Sequence, residues 1–110
     1  MRIETRELPC RGGKLGLVTL DSPDTLNALS SDMFHQMQAR LDAWAGDENI
    51  CLVMINANGD RGFSAGGDIR ELYHALGASA DATTVTDVFA REYRVDYTLH
   101  TFPKPVVTLA

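Results

Sequence analysis

The chain has 110 residues, 45% of them hydrophobic and 23% charged, with a formal net charge of −5. That length holds one domain at most, able to bury roughly two thirds of its unfolded surface, and the composition excludes a disordered chain. The acidic balance without Lys/Arg clusters argues against a nucleic-acid face; no apolar run is long enough to span a bilayer, and "MRIETRELPC" lacks a signal-peptide core, which points to the cytoplasm.

"RIETREL" alternates and "KLGLVTL" is apolar enough for a strand, with turn residues "PCRGG" between them, so a hairpin opens the chain. "DSPDTLN" is a loop. "LSSDMFHQMQARLDAWAGD" predicts a helix with Ser30 or Ser31 as N-cap and Asp32 in the first turn. Met33, Phe34, Met37, Leu41 and Trp44 make its apolar stripe, and Gly46 ends it. "ICLVMINA" has no polar alternation, which predicts a strand covered on both faces, with Cys51 as a small buried hydrophobe in a reducing compartment. A short helix from Asp68 to about Leu76, stopped by Gly77, comes next, and "GASADATT" reads as a flexible connection. A second long helix runs from about Val85 to Thr101 and is terminated by "FPKP". "PVVTLA" looks like the opening half of another buried strand, so the chain reads as the N-terminal part of a longer single domain, cut after Ala110.

The stretch "RGFSAGGDIREL", Arg61 to Leu72, joins the apolar strand to the short helix. A strand, a glycine-rich turn and a helix N-terminus together present unpaired backbone N–H groups toward one point. The loop is no triphosphate cradle, because the Lys-Ser/Thr pair is missing, and its glycine spacing does not fit a dinucleotide fingerprint. A plain strand-to-helix turn with Asp68 as N-cap stands beside the donor-site reading.

In the second long helix Val85, Val88, Phe89 and Leu99 form the apolar stripe, and Glu92 and Asp96 fall inside it, away from Asp87, Arg91, Arg94 and Thr98. A carboxylate there costs several kcal/mol unless it is paired or has work to do, roughly what a buried charge demands. A buried ion pair and a carboxylate lining a pocket are both open. His35, His74 and His100 have no ligand spacing, Ser64 has no histidine at a fixed offset, and neither cysteine belongs to a metal-ligand set. Asn27 reads either as a brace for the glycine loop or as a plain turn residue.

"FSAGGDI" resembles the first signature of the crotonase (enoyl-CoA hydratase/isomerase) family, and "SPDTLNALS", Ser22 to Ser30, resembles that family's loop after its second strand, at the right separation. The resemblance runs through essentially the whole chain and implies an α/β fold, a crotonase-like spiral of β-β-α units. It implies that the Gly67 N–H is half of an oxyanion hole for an acyl-CoA thioester, a donor worth about 3–4 kcal/mol to the transition state. It further implies a substrate surface of Asn27, Ala28, Ala65, Gly66, Asp68 and Ile69, no metal, and no cofactor beyond the CoA of the substrate. "FAREY…FPKP", Trp44 before an acidic turn, and Gly66-Gly67 where hydratases commonly carry Gly-Ala look like the 3-hydroxyisobutyryl-CoA hydrolase branch, in which the glutamate before the tyrosine, here Glu92, contacts substrate. The activity so implied is thioester hydrolysis, in valine degradation. Hydration or isomerisation of an enoyl-CoA is the runner-up, and a non-catalytic partner module or inactive fragment is the reading from another class. An acyl-CoA is the partner implied, no nucleic acid or membrane is, and a homo-oligomer is compatible.

Overall fold

The computed structural model describes residues 2–79 and 82–110. Strands β1 (Ile3–Cys10) and β2 (Gly13–Leu20) form the expected antiparallel hairpin, with Cys10 facing Gly13 across the turn. Gly12 and Gly13 have φ of 91° and 152° there, angles that favour glycine, so the strands run closer to the turn than "PCRGG" suggested. A 3₁₀ turn, Pro23–Thr25, leads into helix α1 (Ser31–Ala45). Ser30 is its N-cap and accepts a hydrogen bond from the Met33 N–H. Strand β3 (Ile50–Ala57), helices α2 (Ile69–Ser79) and α3 (Ala82–His100) and strand β4 (Val106–Thr108) complete the order.

One sheet holds all four strands in the order β1-β2-β3-β4, with β2, β3 and β4 mutually parallel. Parallel neighbours require crossovers, which α1 supplies between β2 and β3 and the α2–α3 pair supplies between β3 and β4. All five stripe residues of α1 are buried, as the 3.6-residue period demands, and they pack with Val18, Leu20, Ile50, Val53 and Ile55. Trp44 lies on the bare backbone of Gly16. Lys104 reaches back from between its two prolines to donate to the Trp44 and Asp47 carbonyls, closing the open end of α1. The Arg2 guanidinium and the Asn58 amide both hold Asp21, tying β1 to the loops behind the sheet.

Several expectations need correcting. Strand β3 is not covered on both faces: Ile50, Val53 and Ile55 are buried, while Cys51, Leu52 and Met54 are half-buried. Its register against β2 shifts between Lys14 and Leu15, so Cys51 is an extra residue and Ile50 and Val53, three apart, share the core face. Cys51 therefore sits partly open at the hairpin end, where its proximity, behind partial desolvation as the larger cause, pushes the Cys10 thiol up. Gly77 does not stop α2, which continues to Ser79, because a glycine weakens a helix without forbidding it. The connection expected over Gly77–Thr84 belongs largely to α2 and α3, except for residues 80 and 81, which lie outside the described residues. Among the described residues of α3 the buried position is Val95, and Asp96 is exposed, so the stripe runs Val88, Glu92, Val95, Leu99 and leaves Asp96 in solvent. Among the described residues, no helix is long and apolar enough to cross a membrane.

Candidate active site

The loops after β2 and β3 leave adjacent parallel strands at the same end of the sheet, the place where open α/β sheets put their ligands. Asn27 locks the two loops together. Its backbone is left-handed, with φ 53°, and its side chain is fully buried. The amide nitrogen donates to the carbonyls of Asn58 (2.9 Å) and Phe63 (3.0 Å), while the amide oxygen accepts from the Ser22 N–H (2.7 Å). Ser64 completes the joint: its hydroxyl donates to the Asn27 carbonyl and accepts from the Gly66 N–H. Both side chains are thus committed to the loop's shape. Asn27, expected at the substrate surface, lies beneath it, and what it offers the site is rigidity.

Gly67 is held from one side only. In a parallel bridge the Leu29 N–H donates to the Gly66 carbonyl (2.8 Å) and the Leu29 carbonyl accepts from the Asp68 N–H (2.9 Å). The residue between those two anchors points its own N–H the other way, and among the described residues the Gly67 N–H has no hydrogen-bond partner. Gly66 reaches this arrangement with φ 89°, an angle that favours glycine. Asp68 is the N-cap of α2, its Oδ1 accepting from the Arg70 and Glu71 N–H groups.

Glu92 stands opposite. Both its carboxylate oxygens lie 3.2 Å from the point where a Cβ would sit on Gly67. It has neither an ion-pair nor a hydrogen-bond partner among the described residues. The carboxylate instead faces a cavity of about 340 Å³ walled by Phe34, Leu72, Val88 and Phe89, with Gly67 and Ala65 at its mouth. A second cavity of about 600 Å³ adjoins it across the glycine loop, lined by Ala28, Arg61, Arg70 and His74 among others. The two share Ala65, Gly67, Asp68, Ile69 and Glu71. Gly67 therefore lines both cavities, and the wider one carries Arg61, Arg70 and His74 beside Asp24, Asp68 and Glu71.

Of the residues singled out from the sequence, Gly67, Glu92, Ala65, Asp68 and Ile69 converge here, and Ala28 lines only the wider cavity. Gly66 supports the loop without lining either cavity. Leu29, Glu71, Arg61 and Arg70 went unnoticed, and His74, read as ordinary, stands on the rim of the wider cavity. Glu71 carried one legible signal, its place one turn beyond the glycine loop. Among the described residues, no three His, Cys, Asp or Glu side chains are grouped as a metal site would need.

A sheet wound strand-strand-helix, with its glycine turn at the ends of adjacent parallel strands, makes the chain an α/β protein of the crotonase fold. The sequence profile of the Enoyl-CoA hydratase/isomerase family matches residues 15–110, and the chain belongs to that family. It is 40% identical over 97 residues to the mitochondrial 3-hydroxyisobutyryl-CoA hydrolase of Gallus gallus, a match covering 88% of this chain and 25% of that protein. The structure of an enoyl-CoA hydratase from Rhodobacter sphaeroides superposes with a TM-score of 0.84 at 40% identity, covering 96% of this chain and 30% of the other. A carnitinyl-CoA dehydratase from Mycobacterium thermoresistibile gives 0.81 at 32% identity, with 94% and 29% covered. The chain spans about a quarter of the length of the curated relatives it matches.

Proposed function

We propose that the protein hydrolyses an acyl-CoA thioester, with 3-hydroxyisobutyryl-CoA as substrate, and serves valine degradation in the cytoplasm. One observation carries the reading: the Glu92 carboxylate lies 3.2 Å from where a Cβ would sit on Gly67, both residues line one cavity, and among the described residues neither that carboxylate nor the Gly67 N–H has a hydrogen-bond partner. A thioester carbonyl seated at Gly67 gains negative charge as water attacks, and a donor fixed in advance stabilises that charge as it develops. The acyl group then occupies the chamber of Phe34, Leu72, Val88 and Phe89, whose lining sets the Glu92 carboxylate beside Gly67. A hydroxyl on the third carbon suits that carboxylate, and so does a water that it orients. The pantetheine and nucleotide lie along the wider cavity, whose Arg61 and Arg70 suit phosphate. The chemistry requires no metal and no cofactor other than the CoA carried by the substrate, and a homo-oligomer is compatible with it.

One N–H is half of an oxyanion hole; hydrolysis also needs a second donor and a group to deliver water, so the test belongs on the full-length protein. Purified protein is given 3-hydroxyisobutyryl-CoA and crotonyl-CoA, and release of free thiol is measured alongside hydration of the double bond. Thiol release from the first substrate in preference to the second is expected. Hydration of crotonyl-CoA without thiol release would instead establish the hydratase reading, which the 40% identity to the Rhodobacter sphaeroides protein favours.

A further inference from the structure

Glu71 lines both cavities, yet neither the oxyanion donor nor the acyl contact uses it. Its Oε1 accepts a 2.7 Å hydrogen bond from the backbone N–H of Ser31. Ser31 is the first residue of α1, one of the donors that a helix start leaves without an internal partner. Helix α1 already has its own cap in Ser30, so the bond to Glu71 is not needed to begin it. What the bond does is join two strips of chain. Residues 29–31 run beside residues 66–71, stitched by Leu29 to Gly66, Asp68 to Leu29 and Ser31 to Glu71, at 2.8, 2.9 and 2.7 Å. Gly67 lies inside that stitched strip. The first two stitches are backbone to backbone and indifferent to sequence; the third depends on a side chain in the first turn of α2.

We propose that Glu71 is a positioning residue: by capping α1 from α2, it fixes the first turn of α2 and with it the direction of the Gly67 N–H relative to Glu92. The proposal rests on the thioester reading for its kinetic consequence, though not for the existence of the lock.

Ser31 offers an unusually clean way to cut the stitch. It occupies the first helical position, where proline is well tolerated, and Ser30 before it has φ −77° and ψ 163°, the extended conformation that a following proline requires. Ser31→Pro therefore deletes the donor N–H while leaving α1 intact. Ser31→Ala keeps the N–H and loses only the hydroxyl that accepts from Arg91, which makes it the control. In the full-length protein with 3-hydroxyisobutyryl-CoA, Ser31→Pro and Glu71→Ala should each lower kcat about tenfold, the loss that a misaimed donor brings, with KM within about twofold. Ser31→Ala should stay near wild type, and the double variant Ser31→Pro/Glu71→Ala should be no worse than either single. Glu71→Gln, whose amide oxygen still accepts from Ser31, should recover most of the rate lost in Glu71→Ala.

Hydrogen exchange at the Asp68 amide of the free protein gives a second readout, expected to quicken in both stitch-cutting variants. Wild-type exchange rates in Glu71→Ala would overturn the lock whether or not any CoA thioester is turned over. Faster exchange in a protein inert toward CoA thioesters would uphold the lock and remove the functional reading. A Glu71→Gln as slow as Glu71→Ala beside a normal Ser31→Pro would also overturn it, since Glu71 would then be acting on substrate directly. Should Ser31→Pro not fold, Glu71→Ala with its glutamine rescue and the exchange rates decides the matter.

Discussion

Replacing Gly67 by alanine points one methyl group at the Glu92 carboxylate. Gly67 is not among the glycines with positive φ, so alanine is accommodated by the backbone and the N–H is retained. The methyl arrives 3.2 Å from both Glu92 oxygens, closer than the 3.4–4 Å of ordinary contact, so the carboxylate must retreat by a few tenths of an ångström. Misplacement by 1 Å costs on the order of 100-fold in rate, so a few tenths should cost roughly threefold to tenfold, or about 0.6–1.4 kcal/mol of transition-state stabilisation. Because the donor survives, that loss should appear with a 3-hydroxyacyl thioester and be smaller with a thioester lacking the hydroxyl. Steady-state kinetics of Gly67→Ala on the two substrates, beside a thermal melt that should hardly move, makes the measurement. Equal losses on both substrates would refute the reasoning, since the methyl would then be disturbing the donor and not Glu92. An unchanged rate on both would mean that Glu92 does not stay over Gly67 once substrate is bound.

Glu92→Gln keeps shape and hydrogen bonding but loses the charge; hydrolysis of a 3-hydroxyacyl-CoA should fall while the melting temperature stays close to wild type, because among the described residues no cation is paired with Glu92. A clear loss of stability with normal kinetics of the folded fraction would sink the pocket role. Gly16→Ala would set a Cβ 2.6 Å from the Trp44 ring, and urea denaturation should register overpacking of about 1–3 kcal/mol. Asn27→Ala leaves one N–H and two carbonyls without their partner, and the same titration should show a loss of about 3 kcal/mol or more. The Asp21 carboxyl is held below the usual carboxylate range by the Asn58 amide and the Arg2 guanidinium. Its folded pKa lies below the unfolded one, so its stabilisation is complete near neutrality and fades as pH falls through the folded value. Asp21→Asn should therefore flatten the acid limb of the stability–pH curve, and an unaltered limb would count against that joint.

Local rules carried the sequence reading wherever one element decided its own fate. The stripe of α1, its serine cap and the two-glycine hairpin depend on neighbours within a few residues, and they were legible as periodicity and turn chemistry. The glycine loop and Glu92 were also legible, the first as an unusual run of small residues and the second as a charge inside an apolar stripe. Asp96 was misjudged because the wheel was centred a small fraction of a turn away, toward Phe89; Val95, which packs against the core, sets the true centre. Which residues of β3 share the core face follows from a register shift against β2, which no property of "ICLVMINA" encodes. Glu71 escaped for a related reason. Its partner, Ser31, is 40 residues away, and only the winding of the sheet brings the two helix starts together.

The Asn27 joint bears on how a substrate could get in. Glycine-rich loops over active sites are often pictured as flaps, but here the loop after β3 is bolted to the loop after β2 through a buried amide and a serine hydroxyl. Lifting one means dragging the other and breaking several buried bonds at once, so the pair behaves as a single rigid floor. In this molecule the glycines of that loop confer shape, and the hydrogen bonds behind them withhold freedom.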